Sequence, residues 1–324
     1  MNQKQHPALP AIDIPYMIDF LVRLLNTPSP TGFSGEAIRL VEKELAAFPE
    51  VRTQWTRKGS LLAFLPGQDG TDAPVRRGLT AHVDTLGAMV REIKASGRLE
   101  LTNVGGFAWA SVEGENCLVH TREKGTVRGS FLPCKASVHV YNTVREDKRD
   151  AASMEVRLDA PVSSAAEARA LGIEVGDFVS FDPRVEVING FVKSRHLDDK
   201  AAVANLLAAI KALHDNGLKP REGTCLLFSN YEEVGLGGSS DFPESMEELL
   251  TVDMAAIGEG QTSDEFHASI CVKDRGGPYH HEFSNKLRDL AAAYDIPVKV
   301  DIYVNYSSDG KAYWHAGGHA AVAL

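Results

Sequence analysis

Four short stretches of this sequence carry side chains able to do metal or acid–base chemistry. Asp198-Asp199 is followed by Lys200 and at once by the apolar run Ala201–Ile210, so two adjacent carboxylates stand at the mouth of an apolar helix. Like charges repel there, and apolar neighbours make water scarce, so a cation would relieve both penalties. His82-Val83-Asp84 closes a short apolar run; on a strand, residues i and i+2 point to the same side. A metal-bound histidine needs a carboxylate to orient its ring, and Asp84 would serve His82 in that way. Glu232-Glu233 follows the apolar run Thr224–Ser229, and Asp253 follows Glu248–Val252. Each has an ordinary alternative when taken alone: an N-cap pair for Asp198-Asp199, a surface histidine near a turn for His82. Four such placements in one framework point instead to one site. A shell rich in carboxylates with one imidazole suits one or two divalent ions, Zn²⁺ or Co²⁺ rather than Mg²⁺.

The elements that must position these residues read as α/β. Ile18, Leu21, Val22 and Leu25 recur at helical spacing, and Ile38, Val41, Leu45 and Phe48 mark a second helix. Residues 51–65 read as two strands turning near Lys58-Gly59-Ser60. The run before His82, the buried-type strand 224–229 and the strands 248–254, 268–273 and 298–304 alternate with helices over 201–214 and 281–294. In open α/β sheets, sites gather at the carboxyl ends of strands, where the four stretches fall.

Between about residues 90 and 183 the character changes. Short β-like runs at 88–93, 98–101, 116–120, 126–130, 136–141 and 154–158 are separated by glycines and charged turns, with one short helix over 163–172. The expectation is a mixed α/β sheet flanked by helices from residues 1–89 and 184–324, with an inserted β-rich assembly domain over 90–183. His120 and His139, within the insert, read as structural.

The bulk properties bound the function. The chain has 324 residues, enough for two domains, and a net charge of −10, which argues against nucleic acid and anionic membrane surfaces as partners. The first ten residues lack the basic and apolar regions of a signal peptide, and 201–210 is too short to span a bilayer. Cys117, Cys134, Cys225 and Cys271 show no CxxC spacing and read as reduced, as in a cytoplasmic protein.

Taken together, Ala81–Val90, Leu197–Lys200, Glu232–Gly235 with the glycines after it, Val252–Met254 and Ser308–Gly310 resemble the tetrahedral (TET) aminopeptidases, the glutamyl-aminopeptidase and cellulase-like family of dinuclear metallopeptidases. The resemblance runs along nearly the whole chain. It implies that His82 and Asp253 hold one metal and Glu233 the other, and that Asp198 bridges both through a cis peptide to Asp199. It implies further that Glu232 is the general base and that Asp84 orients His82. The reaction implied is removal of N-terminal residues from short peptides by a metal-bridged water, with two divalent ions per subunit. The assembly implied is a homo-oligomer, commonly a twelve-subunit shell with inward-facing sites.

Two departures from the family pattern bear on substrate. The family carries a last metal-binding histidine near its C-terminus, for which the late residues here are His315 and His319. Lys200 stands where an arginine is usual, and the glutamates are followed by Gly235-Leu236-Gly237-Gly238. These keep open the same metal hydrolase acting on a modified dipeptide or an N-acyl amino-acid amide, and an inactive scaffold. Glycoside hydrolysis also uses paired carboxylates, but it needs no H-x-D metal shell.

Overall fold

The computed structural model describes residues 8–324. The chain divides into two compact units: residues 8–27, Gly35–Val83 and Leu197–Leu324 form the first, Pro28–Ser34 and Asp84–His196 the second.

The first unit is built on a nine-stranded mixed sheet. Its centre is four parallel strands in the order Gly223–Ser229, Val75–His82, Glu248–Thr251, Ala320–Ala323. Gly223–Ser229 is buried along its whole length, as its continuous apolar run requires of a strand covered on both faces. The sheet continues antiparallel through Leu61–Leu65 to Arg52–Trp55 on one side, and through Ala268–Asp274 on the other. Ser229 pairs with His82 and Thr251 with Thr80, so the carboxyl ends of three parallel strands come level.

The helix Leu197–Asp215 packs against the helix Ile14–Leu25 and the strand Val75–His82. Its aliphatic residues run nearly all round it, which is why eight of them are buried. Its first turn is irregular: Asp198 (φ −76°, ψ 107°) and Asp199 (φ −120°, ψ 28°) are not helical, and the peptide bond between them is cis.

Lys200, directly after the two aspartates, is fully buried. Its Nζ donates to the carbonyl of Leu24 at 3.0 Å and to that of Thr27 at 2.7 Å. A helix leaves its last carbonyls without intrahelical partners and partly negative, so the ammonium caps the end of Ile14–Leu25.

The second unit is a closed barrel of six strands in the order Gly87–Ile93, Leu99–Val104, Met154–Leu158, Gly125–Pro133, Asn116–Thr121, Phe178–Phe181. Closure leaves no free sheet edge. Ile93, Leu99, Phe131, Met154, Val156 and Phe181 fill its core. The unit reaches beyond the expected 90–183. Gly87–Ile93 belongs to the barrel because it pairs with two other barrel strands, and Arg195 N–H donates to the Pro183 carbonyl at 2.8 Å. The run 136–141 is not a strand: it is a turn in which the Val140 and Tyr141 N–H groups bond back to Ser137 O, leaving Val138 and Val140 exposed. Phe178–Phe181 closes the barrel and Glu186–Ile188 pairs with Phe191–Lys193 as a hairpin; neither was expected from the sequence pattern. His120 lies on a barrel strand with Nε2 2.8 Å from Ser180 Oγ. All four cysteines are free.

Burial pushes the Lys200 ammonium down from 10.5 to about 7. Between those values the unfolded chain binds more protons at this residue than the folded one, so its contribution favours the fold increasingly as pH rises from about 7 toward 10.5. Lys200→Met removes that dependence. The melting-temperature difference, variant minus wild type, is expected to fall between pH 6 and pH 9; thermal unfolding in matched buffers checks this.

Candidate metal centre

His82 is the last residue of its strand, and its side chain is almost fully buried. Its Nε2 lies 3.0 Å from Asp198 Oδ1 and 3.7 Å from Glu232 Oε2, and its backbone N–H donates to Asp199 Oδ2 at 3.1 Å. Two sets of donor atoms lie within 4.8 Å of one another: His82, Asp198 and Glu233 form one, His82, Asp199 and Asp253 the other.

Local structure explains each placement. Glu232–Val234 is a single 3₁₀ turn bracketed by two left-handed residues, Tyr231 (φ 72°) and Gly235 (φ 75°). A non-glycine residue rarely takes this conformation. At Tyr231 it is held by Asn230 Oδ1, which accepts the Tyr231 N–H at 3.0 Å, and by the Leu236 N–H, which donates to Tyr231 O at 2.9 Å. Asp253 sits two residues beyond its strand, its N–H donating to Leu324 O at 3.0 Å.

The electrostatics are those of crowded like charge. Burial drives the Asp199 carboxyl well above the ordinary carboxylate range, and Asp253 adds to the shift. Asp253 is pushed up to about 7, by burial first and then by Asp198, with His82 opposing. Glu232 is raised well above its usual value by burial, with Asp253, Asp309 and Glu233 adding and His82 opposing. Burial works against a charged His82, yet its bond to Asp198 and the charge of Glu232 hold its proton affinity well above the usual imidazole value. Five carboxylates around one imidazole, several forced toward protonation, form a donor set that fits a divalent cation.

Of the residues singled out from the sequence, His82, Asp198, Glu232, Glu233 and Asp253 are thus brought together. Asp84 lies in the second unit, where it is fully buried and accepts from Thr31 Oγ1 at 2.7 Å. His315 ends the helix Asp309–His315, and the His319 carbonyl accepts from Trp314 Nε1; both are exposed and neither belongs to the two donor sets.

Two residues of the site were not assigned roles in advance. Asp199 is a donor in its own right. Asp309 is buried beside the glutamate turn, its Oδ1 accepting the Gly238 N–H at 2.6 Å. The signal for Asp309 is the Ser308–Gly310 stretch, one of the pieces of the resemblance, though no role attaches to it there.

Residues 59–324 match the M42 glutamyl aminopeptidase family. The chain belongs to that family. It is a peptide-bond hydrolase of the aminopeptidase type, and membership implies use of divalent metal. A protein named as an aminopeptidase in Bacillus subtilis (strain 168), YhfE, is 47% identical over 301 residues, covering 93% of this chain and 86% of its own length. The lysyl aminopeptidase of Pyrococcus furiosus is 22% identical over 88% of this chain and 81% of its own. A TET aminopeptidase from a marine-sediment Thaumarchaeota archaeon shares the fold with a TM-score of 0.84 at 20% identity, covering 95% of this chain and 87% of that one. The Pyrococcus horikoshii TET1 peptidase does so with a TM-score of 0.79 at 22% identity, covering 95% and 90%.

Cation binding to the folded chain alone raises stability by RT ln(1 + [L]/Kd), about 2.7 kcal/mol at a hundredfold excess over Kd. Adding Zn²⁺ or Co²⁺ to chelator-stripped protein is expected to raise its melting temperature. Asp198→Asn is expected to lose most of that rise; an equal rise in the variant would remove Asp198 from the donor set.

Proposed function

We propose that the chain is a dinuclear metal-dependent aminopeptidase that removes N-terminal residues from short peptides. The observation that carries the reading is the meeting of His82, Asp198, Glu232, Glu233 and Asp253 at the level carboxyl ends of three parallel strands. His82 and Asp253 would hold one ion and Glu233 the other, with Asp198 able to serve both. Zn²⁺ or Co²⁺ suits the imidazole and carboxylate donors better than Mg²⁺. Such ions, when bound, supply Lewis acidity toward a carbonyl and lower the pKa of water.

The chain's own residues do the rest. Glu232 is the general base: it lies at the edge of the donor cluster, 3.7 Å from His82, and its raised proton affinity suits a group that must accept a proton from water and return it to the leaving amine. Asp199, tied to the His82 main chain at 3.1 Å, holds the strand end in place. The carboxylates attract the substrate's free α-ammonium group, which selects for N-terminal residues. Asp84 is assigned the orientation of His82, on their sequence spacing alone.

The barrel unit is proposed to serve assembly, since it carries neither donor set. A homo-oligomer is supported by the Pyrococcus horikoshii TET1 peptidase, which can assemble into a tetrahedron or a large octahedral shell. Inward-facing sites in such a shell would admit only short unfolded peptides. Four free cysteines support a reducing, cytoplasmic setting. No helix among the described residues is long and apolar enough to cross a membrane.

Glu232→Gln is expected to bind metal as the wild type does and to lose turnover of amino-acid p-nitroanilides by roughly 100- to 10,000-fold. Full activity in that variant would reject the general-base assignment. Parallel assays on N-acylated amino-acid amides separate an aminopeptidase from an amidase: blocking the amine is expected to abolish cleavage, and preference for the blocked substrate would overturn the reading.

A further inference from the structure

The turn that follows the two glutamates is gripped by charged groups from two distant parts of the first unit. Lys58 lies between the strands Arg52–Trp55 and Leu61–Leu65. Its Nζ donates to the carbonyls of Leu236 and Gly237 at 2.7 Å each, and to Ser239 Oγ at 3.3 Å. The same segment is tied back to the glutamate strand: Asn230 N–H donates to Ser60 Oγ at 3.1 Å, and Asn230 Nδ2 to Lys58 O at 3.4 Å.

Asp309 grips the turn with the opposite polarity. Its Oδ1 accepts the Gly238 N–H at 2.6 Å. Its Oδ2 accepts from Ser229 Oγ at 2.5 Å and from Thr80 Oγ1 at 3.3 Å. Ser229 is three residues before Glu232, and Thr80 two before His82. One buried carboxylate therefore binds both strands that lead into the site and the turn that leaves it.

The glycines make this approach available. A Cβ on Gly237 would lie 2.3 Å from Asp309 Oδ1, and one on Gly238 2.5 Å from the Asp309 carbonyl. Any side chain at either position would drive the carboxylate off the turn. The carbonyls of Leu236 and Gly237 meet a cation while the next N–H, that of Gly238, meets an anion, so the peptide dipoles of the turn are matched at both ends.

We propose that Lys58 and Asp309 act as one unit of positioning residues, holding the Glu232–Gly238 turn so that the Glu232 carboxylate stays on line for proton transfer. The proposal rests on Glu232 being the general base. The pair contributes no donor atom, and His82, Asp198 and Asp253 lie off the turn, so its removal is expected to act on the rate of chemistry far more than on metal content at saturating metal, although Glu233 shares the turn.

The test uses the metal-loaded full chain and its Lys58→Met, Lys58→Arg, Asp309→Asn and double Lys58→Met/Asp309→Asn variants. Lys58→Met is expected to lower kcat on an amino-acid p-nitroanilide about 10- to 100-fold, since small misplacement of a reacting group costs rate on this scale. KM is expected to change by less than about twofold, as for an interaction that matters in the transition state alone. Metal content should equal the wild type's, and Lys58→Arg should restore most of the rate. The double variant should lose about as much as the worse single one, as residues acting as a unit do. Hydrogen exchange of residues 231–240 in the metal-free protein should be faster in Lys58→Met, with the helix Leu197–Asp215 unchanged.

Wild-type kcat in Lys58→Met, loss of metal in parallel with rate, or multiplying losses in the double variant would each overturn the clamp. Should Asp309→Asn fail to fold, the Lys58 pair of variants decides by itself. Should the wild type not cleave the substrate, the aminopeptidase reading fails, while the exchange comparison still tests the clamp: equal exchange at 231–240 would sink it.

Discussion

Carboxylates repel one another, and this fold collects five of them, Asp198, Asp199, Glu232, Glu233 and Asp253, around the buried imidazole of His82. That crowding is the constraint on which the rest depends. Desolvation and mutual repulsion together raise Asp199, Glu232 and Asp253 above their ordinary ranges. A fold can sustain such a cluster where its backbone is held rigidly enough that the acids cannot separate, and where a cation is the natural counter-charge.

The rigidity comes from the sheet. Four parallel strands lie side by side in register, so that His82, the glutamate turn and Asp253 leave from neighbouring carboxyl ends. The irregular start of the helix Leu197–Asp215 brings the aspartate pair onto the same end, with Asp199 bonded to the backbone of His82. Lys200 then anchors that start to the end of the helix Ile14–Leu25. Lys58 and Asp309 do for the glutamate turn what Asp199 and Lys200 do for the aspartates. The aspartate pair and the glutamate turn are thus each fastened by polar bonds to neighbouring segments.

The barrel obeys different physics. Its core is apolar and its closure removes strand edges. The missed strand Phe178–Phe181 does not alternate apolar and polar residues, and the apolar-polar pattern also misplaced one strand and set the barrel's boundaries too narrowly. Val138 and Val140 alternate as in a strand, but no partner strand lies beside them and they remain exposed in a turn. Periodicity reports what a segment can do; pairing depends on what lies next to it.

The sequence by itself determined the chemistry: acids after apolar strands, an H-x-D, an aspartate pair before an apolar helix, in an order that resembles one family of peptidases. Apolar runs and the acids that follow them are local properties, so they are legible along the chain, whereas exact element ends are not. Only the tertiary structure decided which acids share a donor set, that Asp199 joins Asp198, that Asp84 belongs to the barrel unit, and that Asp309 and Lys58 meet at one turn. Those facts join residues as far apart as 58 and 237, and no local pattern specifies a contact at that separation: it follows from sheet order and from glycines that carry no Cβ.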